Sequence, residues 1–596
     1  MRYTVFKGLE NKLNEKDGCR AFEEIEEDVM RGPKAPKDPV AKRPAVYVMV
    51  DAVIDGSPRE NGKFQDICYL NGRIVQKISV LCNDMPKDVL DLVPTGAGFR
   101  KLVHTIGVTV LAVNKEHQED TVVFEMNCLS TEQGKAGTCY RAEVPCNGQE
   151  VKITVADYPE NEADGLLGSF VTTFPAHRAA KLTVCFYLND GFTAPEMVPD
   201  APVDFASPRY REMIERSLIQ TGNLFRVQKA IRKAQAGEEV TIAYLGGSIT
   251  QGAGAKPIHT ECYAYQSYLA FKNRFGKGDG ANVKFVKSGA GGTCSELGLT
   301  RYDLDVLRRG TVVPDIVFLE YAVNDAGDET DGVCFESLVR MAMDGPGQPA
   351  VILLFSVFMD DFNLQERMIP VGKRCQTAMI SLKDAVTPQF SEENPVITKR
   401  QYFYDLFHPS NDGHRIMSDC IDYFWEQVAK ALEETKDAVL DATPAIGEKY
   451  RSLLAFDRAN YKEHEAVKAL SEGVFTEKDY MLQYVEKDDN PKGVPEFPDN
   501  WMKSAGGKGE AFTLKIFCKD LLLVYKDSGD PAFGTVEVRV DGTVTREVNP
   551  LEVGWNHCTA YVVYEGDMAA EHEVTISMKE EDAEKCFTIL GFGYTL

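Results

Sequence analysis

Residues 240–252 read VTIAYLGGSITQG, an almost wholly apolar run that gives way at once to two glycines, a serine and polar residues. A short apolar run without polar alternation describes a strand buried on both faces, as a parallel sheet covered by helices requires. In such sheets ligands gather at the carboxyl ends of the strands. Gly246 and Gly247 let the backbone turn tightly and a substrate approach, so Ser248 at that turn is placed as a nucleophile. The same residues also fit a serine that caps the next helix.

Further strands of this kind follow, VKFVKS (283–288), DIVFLEYAV (315–323) and AVILLFSVF (350–358). Segments with helical spacing separate them, such as SELGLTRYDLDVLRRG, and RYREMIERSLIQTGNLFRVQKAIRKAQ precedes the first strand. Buried strands alternating with helices predict a three-layer α/β/α domain with a parallel sheet over 206–436, closed by a last helix, HRIMSDCIDYFWEQVAKALEETK, that ends near 436.

The flanks read differently. Before 206 the runs AVYVMVDAV (45–53), RIVQKISVL (73–81), EVKITVADY (150–158) and KLTVCFYL (181–188) stand between Gly, Pro, Asp and Asn, and predict a β-sandwich accessory domain over 1–205. A Pro- and Asp-rich linker, around 190–208, ends it. A helical and polar connection covers 437–497. Then AFTLKIFC (511–518), DLLLVYK (520–526), GTVEVRVDG (534–542), HEVTISMK (572–579) and CFTILGFGY (586–594) predict a second β-sandwich over 498–596, with an Asp-Gly turn at Asp541.

Bulk properties narrow the function. The 596 residues are too many for one core, and 44% hydrophobic with 26% charged residues is ordinary globular composition. No run of about 18 apolar residues could cross a bilayer, so no membrane partner is expected. A formal charge of −25 argues against nucleic acid and anionic lipid as partners. The first residues, MRYTVFKGLENKLNEKDGCRAF, lack a secretory pattern, and a cytoplasmic location is the expectation. Fifteen cysteines without a CxxC pair predict reduced, mostly buried thiols and no structural zinc site.

A serine hydroxyl needs a base, and the base needs a group that fixes its tautomer. YDLFHPSNDGH (404–414) offers both, since Asp405 and His408 lie three apart where a turn brings the carboxylate to Nδ1. His414 and Asp412 are close rivals, with His414 read as a structural hydrogen-bonder. Two segments could donate to a developing oxyanion: KSGAGGTCS (287–295), a glycine-rich turn, and EYAVNDAGD (320–328), which carries Asn324 past a strand end. No His/Asp/Glu cluster has metal-ligand spacing, and no metal or cofactor is expected.

Taken in order, GGSIT, SGAGGT, YAVND and DLFHPSNDGH resemble the four blocks of the SGNH (GDSL-like) hydrolase superfamily, over roughly residues 238–435. The resemblance implies a triad of Ser248, His408 and Asp405. It also implies an oxyanion hole formed by the Ser248 N–H, the Gly292 N–H and the Asn324 side chain. This chain departs from the pattern at Gly247, where Asp is frequent, at Lys287, where Asn is, and at Ala322 and Val323, where glycine is common, so Gly289 and Gly291 stay open beside Gly292.

SGNH enzymes with β-sandwich modules resemble bacterial carbohydrate esterases that remove O-acetyl groups from plant polysaccharides. The expected substrate is therefore an ester on a small molecule or oligosaccharide such as a xylan or mannan fragment. A lipase or thioesterase, a sugar O-acetyltransferase and a non-catalytic carbohydrate-binding protein are the alternatives. Trp501 and Trp555 could stack on sugars or serve as core, and CYAYQSYL (262–269) could line a pocket or pack as a helix. The oligomeric state is left open.

Overall fold

The computed structural model describes residues 43–596 apart from 60, 71–73, 82–84, 133, 195–199, 393, 507–508 and 554. The reading of the first 22 residues therefore lies outside the described residues. The chain packs as two compact units that do not follow chain order. The first takes in the described chain up to Tyr210 together with Gly254–Pro257 and Gln389–Gly413, and the second takes in Arg211–Ala253, Ile258–Pro388 and His414–Leu596.

Among the described residues of the first unit nine strands form two antiparallel sheets. They are β1 (Ala45–Asp55), β2 (Ser57–Pro58), β3 (Phe64–Tyr69), β4 (Val103–Ala112), β5 (Thr121–Ser130), β6 (Cys139–Pro145), β7 (Asn147–Thr154), β8 (Asp164–Phe174) and β9 (Ala179–Leu188). The orders are β1-β9-β4-β7 and β2-β3-β8-β5-β6. Each sheet turns its alternate apolar residues to one shared core, with Val46, Ile106 and Val184 from the first meeting Val122, Phe124 and Phe170 from the second.

One segment contradicts its sequence reading. RIVQKISVL is no strand, because Ile74–Leu81 is an α-helix. Ile74 and Ile78, one turn apart, are both fully buried, and this tertiary contact overrides the strand preference of the β-branched residues.

The second unit holds a six-stranded sheet built from β10 (Leu218–Gln220), β11 (Val240–Gly246), β12 (Val283–Gly289), β13 (Ile316–Glu320), β14 (Ala350–Phe355) and β15 (Ala378–Ser381). Its order is β10-β15-β14-β13-β11-β12, with β11 to β15 parallel and β10 antiparallel at the edge. Every residue of β11 and β13 is buried, as their apolar sequences require. The short strands β10 and β15 were not singled out in the sequence. The last helix runs Asn411–Lys430, shorter at its end than expected.

No α-helix occurs among the described residues of 437–497, against expectation. That stretch instead supplies β16 (Leu454–Phe456), β17 (Val467–Ser471), β18 (Tyr484–Val485) and β19 (Val494–Pro495). β16 and β17 pair with β25 (Phe587–Thr595) and β21 (Phe512–Asp527), so hydrogen bonding to distant strands decides their state. With β20 (Trp501–Lys503), β22 (Val536–Val540), β23 (Thr543–Val548) and β24 (His557–Met578) they form one eight-stranded antiparallel sheet.

That sheet is continuous where two separate sheets were expected. β21 and β24 run its whole length, and an irregularity between Cys518 and Asp520 shifts their register midway. Leu297 packs with Leu482, Val524 and Leu590, and Tyr450, Leu453 and Leu522 join the core beside β13, so both sheets of this unit share apolar contacts. Every described cysteine is a free thiol, and all but Cys139 and Cys294 are buried. No helix among the described residues is long and apolar enough to cross a membrane.

Candidate active site

At the end of β11 the chain turns through Gly247 into the short helix Ser248–Gln251. Gly247 is glycine for a steric reason, since a Cβ there would stand 2.1 Å from Oδ1 of Asn324. The helix stops at Gly252, whose φ of +106° suits glycine and whose N–H donates to the Ser248 carbonyl at 3.0 Å. Below the turn, the Thr250 hydroxyl donates to Glu320 at 3.0 Å, at the end of β13. Burial pushes the Glu320 carboxyl up to about 7, against the hydrogen bonds it accepts from Thr250 and Gly247.

The glycine turn after β12 comes against this helix. A Cβ on Gly289 would lie 1.9 Å from the Gln251 nitrogen, so backbone meets backbone there. A Cβ on Gly291 would lie 3.7 Å from Cβ of Ser248, and Gly292 has φ +71°. Asn324 opens a single turn of 3₁₀ helix after β13, with its N–H on the Tyr321 carbonyl at 3.1 Å. The two loops are tied together, because Ser295 N–H donates to Asp325 at 2.8 Å and the Cys294 thiol to the Asn324 carbonyl at 3.2 Å.

Behind them Arg301, fully buried, donates to the Gly246 carbonyl at 2.8 Å and to the Ser288 carbonyl at 3.1 Å, and pairs with Asp305 at 2.7 Å. A cation at this point satisfies the strand-end carbonyls that no helix reaches.

Asp405 and His408 meet within the first unit. The carboxylate of Asp405, almost fully buried, accepts from the backbone N–H groups of Phe407 at 2.8 Å and His408 at 2.9 Å. His408 Nδ1 stands 2.9 Å from both of its oxygens. An ionised carboxylate only accepts, so Nδ1 carries the proton and Nε2 is the basic nitrogen. Burial alone would raise the Asp405 carboxyl, but the His408 imidazole and the Lys77 ammonium outweigh it and hold the group below the usual carboxylate range.

The loop is fixed by Tyr404 N–H to the His408 carbonyl at 2.9 Å, and Gly254, with φ +90°, backs onto Pro409 and His408. Lys77 donates to the Tyr404 carbonyl, and the Tyr404 hydroxyl bonds Asp66, which also pairs with Lys256.

The rival histidine is spent on backbone. His414 is buried, receives the Tyr263 N–H on Nδ1 at 3.2 Å and gives its Nε2 proton to the Ala253 carbonyl at 3.0 Å. Asp412 sits in the first turn of the last helix. Tyr263 and Tyr268 are buried in a helix, Tyr263 hydrogen-bonded through its hydroxyl to that of Thr250 and Tyr268 to the Val283 carbonyl. Trp501 is core, whereas Trp555 is 40% exposed.

Thus Ser248, the glycine turn and Asn324 stand together in the second unit, and Asp405 and His408 stand together in the first. Lys77, Gln483 and His557, which touch these loops, carried no sequence signal, and Trp555 was marked only as a residue that could stack on sugars or serve as core. They lie far from the motifs in the chain, and only folding brings them near.

A serine at a parallel-strand end with glycine and asparagine turns beside it is an arrangement suited to acyl hydrolysis. The model of the GDSL-like lipase/acylhydrolase family matches residues 244–416. The chain is a carboxylic ester hydrolase with an SGNH-type, GDSL-like domain. It is similar to two crystal structures of a two-domain esterase (CEX) active on acetylated mannans, one of them co-crystallised with mannopentaose. Each is 25% identical with a TM-score of 0.53, and the match covers 64% of this chain and 97% or 98% of the esterase. No curated protein matches the chain.

Proposed function

We propose that this protein is an acetyl esterase that removes O-acetyl groups from mannan-type oligosaccharides through a Ser248–His408–Asp405 triad. The observation that carries the substrate class is that the likeness spans 97% of a two-domain esterase acting on acetylated mannans, beyond the hydrolase fold alone. The exposed Trp555 supports it, because its ring lies 3.0 Å from where a Cβ on Gly292 would stand and offers a face for a sugar. In this reading 206–436 is a three-layer catalytic domain, and 1–205 and 498–596 are accessory domains.

Ser248 Oγ attacks the acetyl carbonyl while His408 Nε2 takes its proton. The carbonyl oxygen becomes an oxyanion held by the Ser248 N–H, the Gly292 N–H and the Asn324 amide. Collapse of this intermediate breaks the bond to the sugar oxygen, which leaves with the proton from His408. Water then attacks the acetyl-serine, giving its proton to His408, and a second collapse releases acetate and restores the Ser248 hydroxyl. Asp405 stays ionised throughout and stabilises the imidazolium.

The test is Ser248→Ala assayed on 4-nitrophenyl acetate and, by mass spectrometry, on acetylated mannan and xylan oligosaccharides. Loss of turnover with an intact fold is expected, and retained turnover refutes the triad. Preference of the wild type for long-chain acyl esters, or transfer of acetyl to an added sugar, would refute the substrate reading.

A further inference from the structure

The carbonyls of Gly291 and Gly292 are each gripped by a side chain that lies outside the residues of the family match, 244–416. Gln483, buried beside β18, donates through Nε2 to the Gly291 carbonyl at 2.8 Å. Its own Oε1 accepts the Cys558 N–H at 2.9 Å, which settles which end of the amide points where. His557, buried at the start of β24, has Nε2 2.9 Å from the Gly292 carbonyl. A carbonyl oxygen only accepts, so Nε2 holds the proton and Nδ1 receives the Thr559 hydroxyl at 3.0 Å.

A trans peptide is planar, with its C=O and N–H pointing in opposite directions. The oxygen of Gly291 and the N–H of Gly292 belong to one such plane. Whatever holds that oxygen therefore aims that N–H. Between two glycines nothing intrinsic does so, because both residues accept either sign of φ and the peptide can flip at little cost. The restraint has to come from elsewhere in the fold, and Gln483 supplies it, while His557 holds the next plane and keeps Gly292 at φ +71°.

We infer that Gln483 is a positioning residue of the esterase, which aims the Gly292 N–H at the developing oxyanion by holding the Gly291 carbonyl from behind. The inference rests on the reading of Gly292 as an oxyanion donor. It gives the chain beyond the hydrolase fold a part in turnover, since the anchors of the donor come from β24 and from the segment before it. Burial lowers the His557 imidazole to about 4, so this second anchor is neutral at pH 7.

The experiment uses Gln483→Met, which keeps the length of the side chain and loses both hydrogen bonds, and Gln483→Glu, both in the full chain. A lost oxyanion donor costs about 10²–10³ in turnover, and a donor that is only misdirected should cost about 10- to 100-fold in kcat/KM on 4-nitrophenyl acetate. Affinity for phenylboronic acid, whose adduct with Ser248 carries the tetrahedral oxygen, should fall by a similar factor; the Gly291 carbonyl and the Cys558 N–H left unpaired also lower the thermal midpoint, so both measurements are made where circular dichroism shows the variant folded. Gln483→Glu should gain on Gln483→Met as the pH is lowered, because only the protonated carboxyl can donate to the Gly291 carbonyl.

A folded Gln483→Met enzyme within about threefold of wild type overturns the inference, as does lost turnover with unchanged boronate affinity. Ser248→Ala separates the two levels. If it stays active, the triad reading fails; if it is dead while Gln483→Met is fully active, only the role of Gln483 fails.

Discussion

The ammonium of Lys77, buried in a helix of the first unit, donates to the backbone carbonyl of Tyr404, the residue immediately before Asp405. It also sits 5.7 Å from the centre of the Tyr404 ring, whose hydroxyl bonds Asp66. One cation thereby both anchors the loop that carries Asp405 and His408 and favours the ionised form of Asp405. Lys77→Met should leave the Tyr404 carbonyl buried without this donor and cost about 1–3 kcal/mol of stability. It should also lower kcat/KM by roughly tenfold through the looser imidazole. Thermal unfolding and steady-state kinetics check this, and wild-type turnover in the variant would show that the loop holds itself.

Asp405 sets a pH dependence of stability. Its carboxyl is held below the usual range in the folded protein, so it contributes stability that is complete above the unfolded carboxylate pKa of about 4 and is lost as pH falls through the lower folded value. Wild type should therefore unfold at a higher temperature than Asp405→Asn at pH 7, with the gap closing in acid. At pH 7 the same variant should lose on the order of 10³–10⁴ in kcat, because an amide no longer enforces the Nδ1–H tautomer. A gap that widens toward low pH would contradict the assignment.

Gly247 is held to glycine by the amide of Asn324. In Gly247→Ala the new methyl would meet that amide at 2.1 Å, and the side-chain end, not the backbone, is what has to yield. The expected result is a folded enzyme with Asn324 displaced and a loss of about 10²–10³ in kcat, the cost of one oxyanion donor. Calorimetry and kinetics together decide, and a large stability loss with little change in kcat would point to a purely structural contact.

Trp555 tests the sugar reading. Trp555→Ala should raise KM for an acetylated mannan oligosaccharide by about tenfold, corresponding to a stacking contact of about 1–1.5 kcal/mol, and leave kcat/KM on 4-nitrophenyl acetate within about threefold. Equal losses on both substrates would assign Trp555 to support of the glycine turn instead.

The order of motifs and the buried, unalternating strands β11 to β14 were legible in the sequence, because a strand covered on both faces has to be apolar throughout and a tight turn has to be glycine-rich. The same local rules failed at Ile74–Leu81, where β-branched residues form a helix, and at 437–497, where β16 and β17 form by pairing with partners far along the chain. They also missed β15, a four-residue strand too short to show a pattern.

By itself the sequence determined the hydrolase class and supplied the candidate residues of the proposed site, since those depend on spacing and on chemistry carried within single segments. Which groups hold them was decided only by the tertiary structure. Gln483 reaches Gly291 and Lys77 reaches Tyr404 across long stretches of chain, and such contacts arise from how sheets and helices bury their surfaces against one another, a relation that no local pattern records.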